Sequence, residues 1–322
     1  MYLSLSNNLS GVDFMETTHK IIFGDAKRMN EIEKNSIQLV VTSPPYFNAP
    51  FDYPGLFQSY DEYLELLSCV GKELFRVIED GRVACFVVQD VRIGGKLFPI
   101  VSDLIKIMTE IGFEYREKII WKKPEGYIRI SRRSGVLLQH PYPMYFYPDN
   151  IFEEIIIFQK GKFEYEKKIQ SLSYSELEDS KIDLKEFQKH KWYLTVWEIT
   201  NVLPLRNRLE KGIAAFPEEI PRRLIKLFTF KGETILDPFL GSGTTTKVAI
   251  ELERNSWGYE IDLELEPIIR KKLDFSQTRL AKIKIEFIKR QDAKRLRTFL
   301  QKNLEEKKHE NKYNSKSSKH KV

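Results

Sequence analysis

Residues that could do chemistry stand together at Ser43-Pro44-Pro45-Tyr46, directly after an apolar run at 37–41. Such a run is typical of a buried parallel strand, and because proline has no N–H, the two prolines must end the strand's hydrogen-bond ladder. The carboxyl ends of parallel strands are where open α/β sheets bind ligands. A rigid corner there would present the Ser43 hydroxyl, backbone carbonyls and the Tyr46 ring to a planar base that carries an amino group. A proline-rich turn without a ligand is the alternative for this motif taken alone.

A second motif, Asp-Pro-Phe-Leu-Gly-Ser-Gly-Thr-Thr, occupies residues 237–245. Gly241 and Gly243 leave room for the backbone to approach a ligand at the start of a helix. Asp237 would repel a phosphate, whereas it suits a cationic amine. Glu260 lies roughly 20 residues beyond the turn, the separation at which an acid binds ribose hydroxyls in dinucleotide sites. The pattern therefore predicts a nucleoside ligand without phosphate groups.

Together, the Thr-Ser-Pro-Pro-Tyr motif at 42–46 and the motif at 237–245 resemble those of amino-directed DNA methyltransferases that use S-adenosylmethionine. Their order, with the catalytic motif first, is similar to the permuted β group of that family, and Ser43 is most like its N4-cytosine-specific members. The resemblance covers most of residues 20–273. It implies an α/β, Rossmann-like methyltransferase fold, which is a mostly parallel, twisted, seven-stranded sheet with an antiparallel last strand, circularly permuted. A small inserted target-recognition region would be added to this sheet.

The resemblance further implies a site-specific enzyme of a restriction-modification system. It would transfer a methyl group from S-adenosyl-L-methionine to the exocyclic N4 of cytosine in double-stranded DNA. The target base would have to be extruded from the duplex, stacked on Tyr46 and hydrogen-bonded to Ser43 and the Pro44 carbonyl. Adenine N6, RNA and a protein amide are alternative targets. A DNA-binding protein with a degenerate cofactor site is the alternative from another class.

The predicted catalytic residues are Ser43, Pro44, Pro45, Tyr46 and Asp90. Asp90 ends the buried strand pattern at 82–90 and could orient Ser43 or the target amine. A capping or structural role is the alternative for Asp90. Neither cysteine follows a proline, which argues against the covalent chemistry of enzymes that methylate a cytosine ring carbon.

The predicted cofactor-binding residues come from five segments of the chain: Asp25, Thr42, Phe216, Asp237, Pro238, Phe239, Gly241, Ser242, Gly243, Thr244, Thr245 and Glu260. Phe216 belongs to a segment that resembles the family's His-Pro-x-x-Phe-Pro-Glu motif, which lines the methionine part of the cofactor. The chain departs from that motif, since Gly212 and Ile213 occupy the His-Pro positions.

Asp25 is assigned by the resemblance to the adenine amino group of the cofactor. A cap for a short helix predicted at 26–33 is the alternative. The four residues from Asp25, Asp-Ala-Lys-Arg, recur from Asp292, so Asp292 is a second candidate for the same position. We favour Asp25 because its short helix leads straight into the strand before Ser43. The copy at 292–295, with a possible strand at 283–288, would then be an edge addition or a chance match.

Two loops are predicted to face DNA. The loop at 122–150 interleaves basic residues with tyrosines, and cations suit phosphates while rings and guanidinium forks suit bases. The loop at 47–60 is aromatic and leaves directly from the Ser43 corner. The predicted DNA-binding residues are Lys123, Arg129, Arg132, Arg133 and Tyr53. For the loop at 122–150, the alternative is an ordinary solvated loop. For the loop at 47–60, the alternative is that its aromatic side chains pack in the core.

The chain of 322 residues carries a formal net charge of +6, which fits a polyanionic partner. We expect a lead-in at 1–19, a catalytic half at 20–121 and a cofactor-binding half at 201–301. Residues 122–200 would hold the DNA-facing loop, a closing strand and a helical target-recognition insertion, and residues 302–322 a disordered basic tail. Two cysteines without metal-ligand spacing, and no signal peptide or membrane span, predict a cytoplasmic protein without a metal. The resemblance also implies a cognate restriction endonuclease that acts on the same site, and the protein would be a monomer or a homodimer.

Overall fold

The computed structural model describes residues 15–49, 53, 55–124, 143, 148, 150–201, 216–274, 282–296 and 298–300. The strands in this part of the chain are β1 Thr17–Phe23, β2 Ile37–Thr42, β3 Ile78–Val88, β4 Val91–Ile93, β5 Lys96–Phe98, β6 Glu114–Lys122, β7 Phe152–Gln159, β8 Val196–Glu198, β9 Thr234–Asp237, β10 Asn255–Glu260 and β11 Ile283–Lys289. The helices are α1 Tyr60–Val77, α2 Ile100–Ile111, α3 Tyr165–Gln170, α4 Tyr174–Asp179, α5 Leu184–Lys189, α6 Glu219–Phe228, α7 Thr244–Glu251 and α8 Glu266–Asp274.

Nine of the described strands form one sheet in the order β11-β1-β10-β9-β2-β3-β7-β6-β8. Of these nine, only β7 runs antiparallel to its neighbours, β3 and β6. The mostly parallel α/β sheet is therefore confirmed, whereas the prediction of seven strands is wrong. The two additional strands are the edges: β11 pairs with β1, and β8 is a three-residue strand beside β6 that is too short to give a sequence signal.

The strands that carry the two motifs are neighbours although they lie far apart in the chain. β2 pairs in parallel with β9, with Leu39 opposite Ile235 and Val40 opposite Leu236. From β9 the chain continues to β10 on one side, and from β2 it continues to β3 on the other. The connections diverge at this point, which leaves a crevice at the carboxyl edge of the sheet.

Helices cover both faces of the sheet, which explains the continuous apolar runs of its central strands. Val40 belongs to the core layer shared with α1 and α2, and Val41 belongs to the layer shared with α6 and α7. Strands that are buried on both faces hold their ends in fixed positions, so residues just beyond those ends are placed accurately.

The helix predicted at 26–33 is wrong, because this segment forms a series of turns between β1 and β2. Ala26, Met29 and Ile32 are buried at a spacing of three residues, which imitates the apolar face of a helix. The guanidinium of Arg76 on α1 donates to the carbonyls of Met29 and Ile32, at 2.8 and 2.9 Å. Tertiary hydrogen bonds thus replace the bonds that a helix would make.

Further boundaries bear on the domain predictions. β1 begins at Thr17, inside the predicted lead-in at 1–19. The segment 160–191, which lies within the region predicted at 122–200, contains α3, α4 and α5. The predicted tail at 302–322 lies outside the described residues. Among the described helices, none has the length and apolar composition that crossing a membrane requires.

A buried imidazole between β1 and β10 makes the fold sensitive to acid. The ring nitrogens of His19 lie 2.9 Å from Ser256 Oγ and 3.0 Å from Thr17 Oγ1, and burial lowers the His19 pKa to about 3. The unfolded chain binds a proton near pH 6.5 whereas the folded chain does not. The stabilisation that the neutral ring contributes is therefore present above pH 6.5 and is lost as the pH falls.

We expect the His19→Gln variant to be less stable than the natural chain at pH 7, and the difference to shrink between about pH 6.5 and pH 5. The decrease should approach about 1.4 kcal/mol per pH unit. Urea unfolding curves of both proteins at matched pH values measure it. A difference that stays constant over this range would contradict the assignment.

Candidate active site

A cavity of about 350 Å³ lies at the carboxyl edge of the sheet, where β1, β2, β9 and β10 end. It brings together both sequence motifs, although they are nearly 200 positions apart in the chain. The predicted residues that line it are Asp25, Ser43, Pro44, Pro45, Tyr46, Tyr53, Phe216, Asp237, Pro238, Phe239, Gly241, Ser242, Thr244 and Glu260.

Asp237, the last residue of β9, is a buried carboxylate with three hydrogen-bond donors. Thr42 Oγ1 donates to Oδ1 at 2.6 Å, Thr245 Oγ1 donates to Oδ2 at 2.8 Å, and the Phe239 N–H donates to Oδ1 at 3.1 Å. Burial raises the pKa of Asp237 to about 6, and the three donors oppose that shift. Thr42 and Thr245 are not among the described cavity-lining residues. Their part is to donate hydrogen bonds to Asp237.

Glu260, the last residue of β10, is the second buried carboxylate of the cavity. The N–H groups of Gly241 and Asp262 donate to its two oxygens, each at 2.8 Å. Burial raises the pKa of Glu260 to about 8, with a further contribution from the negative charge of Asp262. A ligand that donates hydrogen bonds to this carboxylate would favour its ionised form.

The glycine turn between β9 and α7 has positive φ at Gly241 (55°) and Gly243 (87°), as the sequence predicts. Gly243 is the N-cap of α7 and is not among the described residues that line the cavity. Lys272 on α8, which sequence reasoning missed, donates to Ser242 Oγ at 2.5 Å and to Thr244 Oγ1 at 3.0 Å. A single lysine in a charged helix gives no sequence signal for this contact.

The two Asp-Ala-Lys-Arg copies lie side by side. Asp25 lines the cavity, whereas Asp292 is not among its described lining residues. Asp292 instead accepts the Asp25 N–H at 3.3 Å and pairs with Arg290 at 2.5 Å. The Asp25 carboxylate also accepts the Lys27 N–H at 2.9 Å within a turn, whereas the helix that it would cap under the alternative is absent.

The chain beyond β11 supplies part of the cavity wall. Lys294 and Leu296 line the cavity. Lys294 forms a β-bridge with Asp262, and the Leu296 N–H donates to Asp262 Oδ1 at 3.2 Å. The repeated motif was the only sequence signal that pointed to this segment.

Asp90 is not among the described residues that line the cavity. Its Oδ1 accepts the Val101 N–H at 3.0 Å in the first turn of α2, and burial raises its pKa. The position agrees with the capping or structural alternative, and a part for Asp90 in the chemistry stays a prediction.

Two of the five predicted DNA-binding residues, Tyr53 and Lys123, lie in the described part of the chain. Tyr53 lines the cavity and donates to Asp262 Oδ2 at 3.3 Å. Lys123 pairs with Glu153 at 2.6 Å and lies over the Trp121 ring, 4.9 Å from its centroid. Arg129, Arg132 and Arg133 lie outside the described residues.

The aromatic loop that follows Tyr46 contributes to the core. Phe47 and Phe57 are buried, and their ring centroids lie 6.3 Å apart. The two rings pack against those of Tyr60, Tyr63 and Phe98 at centroid distances from 4.8 to 5.8 Å. The alternative given for this loop, that its aromatic side chains pack in the core, is therefore correct for these two phenylalanines. Among the described residues of the loop, Tyr53, Leu56 and Phe57 line the cavity, so the Phe57 ring is both packed and part of the cavity wall.

Comparison with known proteins identifies the family. The family model N6_N4_Mtase, described as DNA methylase, matches residues 37–271. The chain is 38% identical over 306 residues to the type II methyltransferase M.MjaI of Methanocaldococcus jannaschii, an alignment that covers 85% of this chain and 97% of that protein.

Solved structures share the fold. TTHA0409 from Thermus thermophilus, in complex with S-adenosyl-L-methionine, is 25% identical with a TM-score of 0.63, covering 83% of this chain and 99% of that one. The cytosine-N4-specific PvuII DNA methyltransferase has a TM-score of 0.54 at 17% identity, covering 85% and 96%, a likeness of fold alone.

Two adjacent threonines on α7 test the environment of Asp237. Thr245→Val removes a donor to a buried carboxylate, so we expect a loss of about 2 kcal/mol in the free energy of unfolding. Thr246 is equally buried, but its Oγ1 has no hydrogen-bond partner within the described part of the chain. The matched Thr246→Val variant should therefore be neutral or stabilising. Urea unfolding at neutral pH compares the two, and equal losses would refute the assigned role of Thr245.

Proposed function

The chain belongs to the N6/N4 family of DNA methylases and is a DNA methyltransferase; we propose that its target is the exocyclic N4 amine of cytosine in duplex DNA. The observation that carries the proposal is the shared cavity, which has the Ser43 corner on one side and the Asp237 and Glu260 carboxylates on the other. Ser43, at the first position of its motif, favours cytosine N4. The family covers both target amines, so adenine N6 is the second candidate.

S-adenosyl-L-methionine is the cofactor, and it supplies a methyl group on a positively charged sulfur. The donors and acceptors of the cavity fit it. Asp237 would bind the ammonium group, Glu260 the ribose hydroxyls, and Asp25 the adenine amine. The two buried acids, Asp237 and Glu260, suit a nucleoside that carries a positive charge.

Ser43 and Pro44 prepare the target amine. The lone pair of a base amine is delocalised into the ring. Hydrogen bonds from the amine to the Ser43 hydroxyl and the Pro44 carbonyl would hold the nitrogen in a more tetrahedral geometry. Because the reaction needs nitrogen, methyl carbon and sulfur in line, this fixed orientation would provide much of the acceleration. The base has to leave the duplex to reach the cavity, and the Tyr46 ring would stack on it.

The remaining parts of the proposal concern partners. The segment 122–200 would contact DNA and read the target sequence. A restriction endonuclease that cleaves the same unmethylated site would be the functional partner of a type II methyltransferase. The enzyme would act as a monomer or a homodimer in the cytoplasm.

The reaction product identifies the target amine. After incubation of the protein with long duplex DNA and S-adenosyl-L-methionine, we expect mass spectrometry of the digested DNA to find N4-methylcytosine. N6-methyladenine would establish the second candidate instead. Methylation of RNA alone, in a parallel incubation, would contradict both.

Removal of the Ser43 hydroxyl tests its part in the chemistry. We expect Ser43→Ala to bind S-adenosylhomocysteine as the natural chain does, and to lose roughly 100-fold in methyl transfer. Ser36→Ala is the matched control, because its hydroxyl donates to the Glu33 carbonyl outside the cavity. A fully active Ser43→Ala variant would remove this hydroxyl from the mechanism.

Cofactor affinity should rise with pH. Burial raises the pKa of Glu260 to about 8 in the cavity, and ribose hydroxyls that donate to the carboxylate would lower it again. Binding then releases a proton, so affinity increases between about pH 6.5 and pH 8, by at most about tenfold per unit. Calorimetry with S-adenosylhomocysteine at several pH values measures how steeply the affinity rises with pH, and the Glu260→Gln variant should lose this pH dependence. An unchanged slope in the variant would assign the proton to another group.

A further inference from the structure

We propose that Glu153, together with Lys123, is a positioning residue for the Tyr46 ring and thereby for the extruded base. The inference rests on the proposed function, because it concerns the same catalytic corner. It also gives Lys123 a role inside the protein, in place of the DNA contact expected from sequence.

The three side chains form a chain of short polar contacts. Tyr46 lines the cavity, is 3% exposed, and donates its hydroxyl to Glu153 Oε2 at 2.5 Å. The other oxygen, Oε1, accepts from Lys123 Nζ at 2.6 Å. Each carboxylate oxygen of Glu153 therefore has its own donor, and both bonds involve a charged group, which makes them short and strong.

The position of Glu153 follows from the direction of β7. Glu153 is the second residue of β7, opposite Trp121 in the register with β6. Because β7 runs antiparallel to β3, the start of β7 lies at the edge of the sheet where the parallel strands end. β7, the one antiparallel strand of the described sheet, therefore places the Glu153 carboxylate beside the Ser43 corner that follows β2. Lys123, which directly follows β6, contacts the second oxygen of the same carboxylate.

Burial makes this arrangement rigid. The side chain of Glu153 is 11% exposed and that of Lys123 is 15% exposed. Separating such a pair would leave a poorly solvated charge, so the pair holds its geometry. The Lys123 N–H also donates to the Ile151 carbonyl at 2.8 Å, which fixes the backbone of both partners.

A ring that is fixed at its hydroxyl is a preorganised platform. Pro45 restricts the backbone next to Tyr46, and the hydrogen bond to Glu153 fixes the position of the Tyr46 hydroxyl at the far end of the ring. Without the second anchor the ring can tilt, and a base stacked on it would be displaced from the line of attack. Misplacement of a reacting group lowers the rate far more than it lowers binding.

The test compares two variants that differ only in whether an acceptor for the Tyr46 hydroxyl remains. Lys123→Met/Glu153→Gln removes both charges but keeps an acceptor oxygen, whereas Lys123→Met/Glu153→Met removes the acceptor with little change in volume. We expect the first to retain most of the methyl transfer to long duplex DNA. We expect the second to lose roughly 10- to 100-fold in kcat, with an unchanged affinity for S-adenosylhomocysteine.

Tyr46→Phe keeps the ring and removes its hydroxyl, so it should lose as much as the second variant. Combining it with Lys123→Met/Glu153→Met should cost nothing further, because both changes remove the same hydrogen bond. Full activity of Tyr46→Phe, or losses that multiply in the combined variant, would overturn the inference. Absence of methyl transfer by the natural chain would instead overturn the proposed function.

Discussion

The burial of two carboxylates at neighbouring strand ends is the constraint on which the site depends. Asp237 and Glu260 are almost completely withdrawn from water, which raises the pKa of both. A buried carboxylate needs hydrogen-bond donors, and here they come from the end of β2, from the glycine turn and from the first turn of α7. The positive φ of Gly241 is part of this requirement, because its N–H must point at Glu260.

The same constraint couples the cofactor half of the chain to the catalytic half. Thr42 and Ser43 are consecutive, and they serve opposite halves of the site: the Thr42 hydroxyl donates to Asp237, and Ser43 lines the cavity. Because β2 pairs with β9, Thr42 lies within hydrogen-bonding distance of Asp237 while Ser43, the next residue, lines the cavity. A displacement of β2 along β9 by one residue would exchange the two side chains and remove the Thr42 hydroxyl from Asp237, leaving it the donors of Thr245 and Phe239.

Sequence reasoning succeeded where local pattern and tertiary role coincide. The buried strands and the two motifs could be predicted because each is a continuous segment with its own signal. The helix predicted at 26–33 failed because Arg76, distant in sequence, satisfies that segment's carbonyls. Lys272, Leu296 and Glu153 were missed for a related reason, since each reaches the site only through the placement of an element that carries no motif.

The most direct test of the central claim, that one cavity serves both halves of the chain, is a crystal structure with S-adenosylhomocysteine bound. The ammonium group should lie about 3 Å from Asp237 and the ribose hydroxyls about 3 Å from Glu260, with the sulfur facing Ser43. A ligand bound elsewhere, or a sulfur separated from Ser43 by protein, would contradict the claim.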